Sequence, residues 1–436
     1  MYNHVNLTFI NYLLQYNKIC YNKYYVRRIL YHCDSSGFRL ALMISLIKNE
    51  VNMFKKASKL KRFDFVLFLT TIMLCVFGFI IINSATMSKL SGSEPYLKTQ
   101  ITAFALGLGV LFVLIMIDYD IYGHFYLPIY GITIVFLIYV LINPVSASEW
   151  GDVRSWVAIG PIVFQPSELA KFGVIISVSK FIDINKDDLN NPAVLVKVLI
   201  FAFLPIALIL LQPDLGTALV FIFFIAVMIF IAGIDQKYII TVLLIGLILL
   251  IIGLVSFYYI MQDYVPNEDY RLDRIVSFFY PEIDPEDTGY QVIQSKTAIG
   301  SGMIYGRGLY KGVQNQLGYL PTKETDFIFA VIGEELGLFG GLFLLSLYAL
   351  LLYRLVKIAK NSSNLFGSLI SSGIAAMLFF HIFENIGMTM GLMPVTGIPL
   401  PFISSGGTFM LVNMVSIGLC LSVGMKRGKR DLNDFL

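Results

Sequence analysis

The sequence predicts an all-α polytopic integral membrane protein with about ten transmembrane helices and both termini in the cytoplasm. Three observations predict it. Hydrophobic residues fill 57% of the 436 positions and charged residues only 14%, far from the balance of an ordinary soluble domain. Ten apolar runs approach the roughly 20 residues that a helix needs to cross a bilayer core. Basic residues cluster beyond alternate ends of these runs, as cytoplasmic loops do.

The runs fall at 63–83, 101–117, 124–142, 167–181, 193–211, 215–234, 238–260, 326–353, 366–390 and 404–425. The fourth is short and carries Glu168, Lys171 and Lys180. An even number of spans puts both ends on one side. The cluster at 55–62, then Arg354, Lys357 and Lys360, then Lys426, Arg427, Lys429 and Arg430 share that side, which is therefore cytoplasmic. The outer side receives three unusual segments: 143–166, the long loop 261–325 between the seventh and eighth helices, and 391–403.

The membrane domain occupies residues 53–436. Residues 1–52 are rich in Asn and Tyr and hold no span-length run, so they read either as an extension from an upstream start codon or as a cytoplasmic tail. Cys20, Cys33, Cys75 and Cys420 show no paired spacing, which argues against a disulfide framework or a CxxC metal site. His4, His32, His124 and His381 are too scattered for a zinc constellation. A net charge of +3 gives no reason to expect a nucleic-acid partner. The glycines between Gly300 and Gly312 do not follow the phosphate-loop spacing, and no inverted repeat of the transporter kind is visible.

Chemistry is expected where the long outer loop ends. Pro321-Thr-Lys-Glu-Thr-Asp326-Phe-Ile-Phe-Ala330 runs from a turn into a helix, with Thr325 or Asp326 placed to cap it. Asp326 alternatively serves as a general base at the mouth of the span, and the two roles compete for the same oxygens. Glu334 and Glu335 lie inside the eighth span, where acids need hydrogen-bond partners or a buried cation. Glu168 and Lys171, three apart on one helix face, are set to pair with each other, although Lys171 could instead face a groove and meet an anionic ligand. His381 and Glu384 have the same spacing and are expected as a buried pair. Arg271 and Arg274 fall on the polar side of an amphipathic stretch, 270–279, suited to a lipid-linked phosphate or to ordinary headgroups of membrane lipid. The Pro- and Gly-rich stretch from Gly391 to Gly407 reads as a re-entrant floor, because non-helical backbone at membrane depth survives only where protein or water satisfies it.

Taken in order, Arg154-x-Trp156, Gln165-Pro-Ser-Glu168-x-x-Lys171, Gln212-x-Asp214-x-Gly216-Thr217, Arg274-Ile with Phe278, Leu320-Pro-x-x-x-Thr-Asp326-Phe-Ile-Phe-Ala330 and Gly391-x-x-Pro-Val-Thr-Gly-x-Pro-Leu-Pro-Phe-Ile-Ser404 resemble the SEDS family (shape, elongation, division and sporulation). Glu384-Asn-Ile-Gly-Met388 is closer to its RodA-like branch than to its FtsW-like branch. The resemblance implies a peptidoglycan glycosyltransferase of the bacterial cytoplasmic membrane. Such an enzyme polymerises lipid II on the outer face, beside a class B penicillin-binding protein, in cell elongation and shape. It implies Asp326 as the catalytic residue. Arg154, Glu168, Lys171, Arg271 and Arg274 are candidates for binding substrate, with Gln165, Glu334, Glu335 and Ser404 in support and a divalent cation (Mg²⁺ or Mn²⁺) as a possible aid. One departure stands out: Ser404-Ser405-Gly406-Gly407-Thr408 replaces the family's usual Ser-Tyr-Gly-Gly-Ser, which removes an aromatic ring from the local cavity. Two other readings are a lipid II flippase and a non-catalytic scaffold for the transpeptidase.

In a variant with the 4 native cysteines replaced, a cysteine introduced at Tyr305 should react with a membrane-impermeant maleimide on intact cells. One introduced at Lys357 should react only after permeabilisation. The opposite pattern would invert the topology.

Overall fold

A computed structural model of the chain describes residues 62–88, 94–143, 155–159, 162–260, 276–280 and 288–426. Ten long helices among them correspond one to one with the ten apolar runs: α1 (Phe65–Thr86), α2 (Glu94–Met116), α4 (Tyr126–Ile142), α5 (Pro166–Ile184), α6 (Pro192–Leu210), α7 (Leu215–Ile231), α8 (Gln236–Ile260), α11 (Ile328–Lys360), α12 (Leu365–Thr389) and α13 (Gly407–Met425). A short α3 (Asp120–His124) precedes α4, and the outer loop contributes α9 (Thr288–Gly302) and α10 (Val313–Gln316). Two three-residue strands, β1 (Val157–Ile159) and β2 (Ile162–Phe164), pair antiparallel just before α5, with Val157 opposite Phe164. Six of the helices meet strict length and hydropathy limits for a membrane span, and α4 and α7 are shorter apolar helices. Residues 1–52, Arg154, Arg271 and Arg274 lie outside the described residues.

Helix starts follow local chemistry. Asp64, Asn191, Asp214 and Asn364 each accept an amide hydrogen bond at the first turn of α1, α6, α7 and α12. Pro166 opens α5 at a position where the missing N–H is not needed. α11 runs past the expected end at 353, because Arg354, Lys357 and Lys360 continue the helix beyond its apolar stretch.

Ion pairs at one end bring together residues that the span count placed on the same side. At the end expected to be cytoplasmic, Arg354 makes a two-pronged ion pair with Asp64, its closest approach 2.6 Å, which ties the end of α11 to the start of α1. Lys426, just past α13, pairs with Asp118 and Asp120. Burial works against that ammonium, but the hydrogen bonds and charges of Asp120 and Asp118 outweigh it and raise its pKa. Within the layer α13 packs along α2, α5 along α4, and α12 against both α11 and α7. α12 and α13 are the most enclosed of the spans.

α11 is discontinuous. Gly337 has φ 63° and ψ −159°, a conformation open essentially to glycine alone, and the helix breaks there. The outer loop fills the break. The amides of Arg307 and Gly308 donate to the carbonyls of Glu334 and Glu335 at 3.0 and 2.9 Å, while Leu338 N and Phe339 N donate to Met303 O and Ile304 O at 3.0 and 3.3 Å. Backbone groups orphaned by the break are thus satisfied by an inserted strand of loop. α9 lies against α11 beside this insertion.

Gly337→Ala should lower stability by about 3 kcal/mol or more, since it imposes a conformation that side chains avoid and places a Cβ 2.3 Å from Gly306 N. Thermal unfolding in detergent micelles measures it. An unchanged midpoint would show that loop and helix do not interlock.

Candidate active site

The outer loop closes with a tight turn immediately before α11. Thr322 O accepts the amides of Thr325, Asp326 and Phe327 at 3.1, 3.1 and 3.3 Å. Phe327, not Thr325 or Asp326, occupies the N-cap position, and no side chain caps the helix. The expected cap is therefore corrected: α11 starts from Phe327 without a side-chain cap, and Thr322 O binds the amides of the turn before it. Asp326 is half-buried, and its Oδ2 lies 3.5 Å from where a Cβ on Gly397 would stand.

Gly397 belongs to the expected floor, which is non-helical from Gly391 to Gly406 and is buried without a break from Leu400 to Ser404. Its polar backbone is taken up by side chains of the surrounding helices. Asn385 Nδ2, on α12, donates to Ile398 O and to Asp326 O, each at 2.8 Å. Tyr348 OH, on α11, donates to Pro401 O at 2.6 Å, and Gln100 of α2 bridges Ser404 O and Gly406 N, each at 3.0 Å. Ser404 Oγ accepts from Leu400 N at 2.8 Å and donates to Thr325 O at 2.6 Å. Ser405 N donates to Glu324 O at 2.8 Å. Floor and turn are thus joined on both sides of Asp326.

Glu168 and Lys171 form the expected pair at 2.7 Å, with Lys171 1% and Glu168 5% exposed. Lys171 Nζ also lies 2.9 Å from His381 Nε2 and 5.7 Å from the Phe409 ring centre. An ammonium only donates, so Nε2 accepts and the imidazole proton sits on Nδ1. The expected pairing of His381 with Glu384 is not formed: His381 turns to Lys171, and Glu384 Oε1 accepts from Thr396 Oγ1 of the floor at 2.9 Å. Gln165 Nε2 reaches Asp214 Oδ2 at 3.0 Å, so two motifs nearly fifty positions apart meet where α5 and α7 begin.

The family model described as "Cell cycle protein", covering FtsW, RodA and SpoVE, matches residues 65–429. The chain belongs to this family. It is 35% identical over 360 residues to the peptidoglycan glycosyltransferase MrdB of Escherichia coli K12, covering 82% of this chain and 93% of that protein. Its fold resembles a chain solved in work on the coordination of polymerisation and crosslinking by a peptidoglycan synthase complex, with TM-score 0.69, 29% identity, and 84% and 99% of the two chains covered. It also resembles the rod shape determining protein RodA of Thermus thermophilus, with TM-score 0.60, 28% identity and 85% and 98% covered.

In this family member Glu334 and Glu335 are fully buried and serve the loop rather than a neighbouring cation. Glu334 accepts the amides of Gln314 and Asn315 at 2.8 and 3.0 Å. Glu335 accepts from Ser84 Oγ at 2.6 Å, Asn315 Nδ2 at 2.8 Å and Tyr310 N at 3.1 Å. Both acids therefore hold the loop that leads to Asp326. Asn385 and Thr396 were not among the expected site residues. A carboxamide beside Glu384 and one turn from His381, inside an otherwise apolar span, is the signal that points to Asn385. Among the described residues there is no group of three or more His, Cys, Asp or Glu side chains that could hold a metal ion.

Glu168→Gln or Lys171→Met should each destabilise the fold by about 3–5 kcal/mol, because each leaves the other charge buried and uncompensated. The double variant should lose less than the sum. Detergent-resistance or thermal melting checks this, and strict additivity would show that the two charges do not interact.

Proposed function

We propose that the chain is a peptidoglycan glycosyltransferase that polymerises lipid II into glycan strands at the outer face of the bacterial cytoplasmic membrane, serving cell elongation and shape. The observation that carries the reading is the placement of Asp326. A carboxylate stands at the outer end of a span, against a glycine of the floor, on a turn held by Ser404 and Asn385. Preorganisation of this kind is what proton transfer requires of a base.

In the proposed reaction Asp326 accepts the proton of the acceptor's GlcNAc 4-hydroxyl. The oxygen attacks the anomeric carbon of the donor's MurNAc, and the bond from that carbon to undecaprenyl pyrophosphate breaks with its electron pair leaving on phosphate. One base suffices because pyrophosphate is already a good leaving group. Arg154, Arg271 and Arg274 are proposed to offset its charge, in the manner of cations that stabilise transferring phosphoryl groups. Glu168 and Lys171 are proposed to act from beneath the site: Lys171 meets His381, and one helical turn further along α12 Asn385 holds Asp326. Their burial favours this positioning role over the lining of a flippase path. The likeness to a chain of a peptidoglycan synthase complex supports a class B penicillin-binding protein as partner.

Asp326→Asn, purified with its partner and given lipid II in detergent, should lose glycan polymerisation by about a hundredfold to ten-thousandfold while keeping its thermal midpoint. Normal polymer from this variant would remove the base from the reaction. No polymer from the unaltered chain would remove the glycosyltransferase reading and leave the flippase or the scaffold.

A further inference from the structure

α9 is fixed to the helix that also holds the Asp326 turn. Ser295 Oγ donates to Thr389 O at 2.7 Å, and Asn385 donates to Asp326 O. These two anchors are one turn apart on α12, about 6 Å of rise at 1.5 Å per residue. The residue after Ser295 is Lys296, whose side chain is exposed and crosses Gly391. A Cβ on Gly391 would stand 2.0 Å from Lys296 Cε and 2.5 Å from Nζ, and the glycine has φ 68°. Both the backbone and the lysine exclude a side chain there.

The ammonium is thereby laid on the first residue of the floor, whose Gly397 faces the Asp326 carboxylate. A lysine stem usually lets its charge float into water. Here it is seated in a notch of the backbone. No carboxylate among the described residues pairs with Lys296; the same holds for Arg307 and Lys311 of this loop, but of the three Lys296 is the one laid against a glycine of the floor. A cation laid on the same floor that meets the Asp326 carboxylate, with no acid paired to it among the described residues, suits an anion that arrives with the substrate.

We propose that Lys296 binds the pyrophosphate of the lipid-linked donor. The assignment rests on the glycosyltransferase reading and adds a residue to it. As the acceptor oxygen bonds to the anomeric carbon, its proton passes to Asp326 and the electron pair of the breaking carbon–oxygen bond passes to pyrophosphate. Lys296 stays protonated throughout and balances the charge that gathers on the leaving group.

The test uses the full chain with its partner in neutral detergent, with lipid II varied and undecaprenyl pyrophosphate added as product inhibitor. Loss of one charge-assisted hydrogen bond should raise KM about tenfold in Lys296→Met and weaken inhibition by undecaprenyl pyrophosphate by a similar factor. Lys296→Arg should restore most of both, and neither variant should shift the thermal midpoint. Unchanged KM and unchanged inhibition in Lys296→Met, while the unaltered chain makes glycan, would overturn the assignment and leave the base mechanism standing. A defect seen only in vesicles of anionic phospholipid and absent in detergent would also overturn it, and would assign Lys296 to lipid headgroups. Failure of the unaltered chain to make glycan would instead sink the underlying reading.

Discussion

Backbone that leaves the helix inside a bilayer has to find hydrogen bonds in protein, and this fold meets that demand twice on its outer side. At Gly337 the helix opens and a piece of the outer loop supplies the missing donors and acceptors. Between Gly391 and Gly406 the chain runs without helical bonds, and Asn385, Tyr348, Gln100 and Ser404 take up its polar groups. A buried carbonyl left without a donor costs about 1–3 kcal/mol. The side chains that answer the floor are therefore structural requirements, and they also fix the geometry around Asp326.

The two irregularities are connected through the loop. Glu334 and Glu335 stand just before the break in α11 and hold 310–316 by its amides and by Asn315. Lys323, buried a few residues later, donates to Asn315 O and to Ser88 Oγ. The turn that carries Asp326 follows at once. A displacement of the inserted loop would pass along these bonds to the turn, so the buried acids of α11 govern the site without touching its chemistry.

The spans were legible because hydrocarbon demands long apolar runs, and each of the ten runs became a helix. The Glu168–Lys171 pair was legible for a local reason: three residues on one helix face set the distance. His381 as a third member was not, since it arrives from a helix 210 positions away. The partners of Glu334 and Glu335 were hidden for the same kind of reason. They depend on the break at Gly337, which within Glu334-Glu335-Leu-Gly337 looks like an ordinary helical glycine until the loop that fills the gap is known. The cap expected at Thr325 or Asp326 falls instead at Phe327, because the turn before it is closed by the main chain.

The place of the cap bears on the chemistry. A carboxylate that caps a helix spends its lone pairs on amides, and protonation would break those bonds. Capping and proton acceptance therefore oppose each other at one residue. In this chain the N-cap falls at Phe327 and α11 starts without a side-chain cap, while Thr322 O collects the amides of Thr325, Asp326 and Phe327 in the turn before it. The backbone of Asp326 is held through its own carbonyl by Asn385, on the opposite edge of the peptide from the acid. The turn that carries the carboxylate is thus held by main-chain bonds.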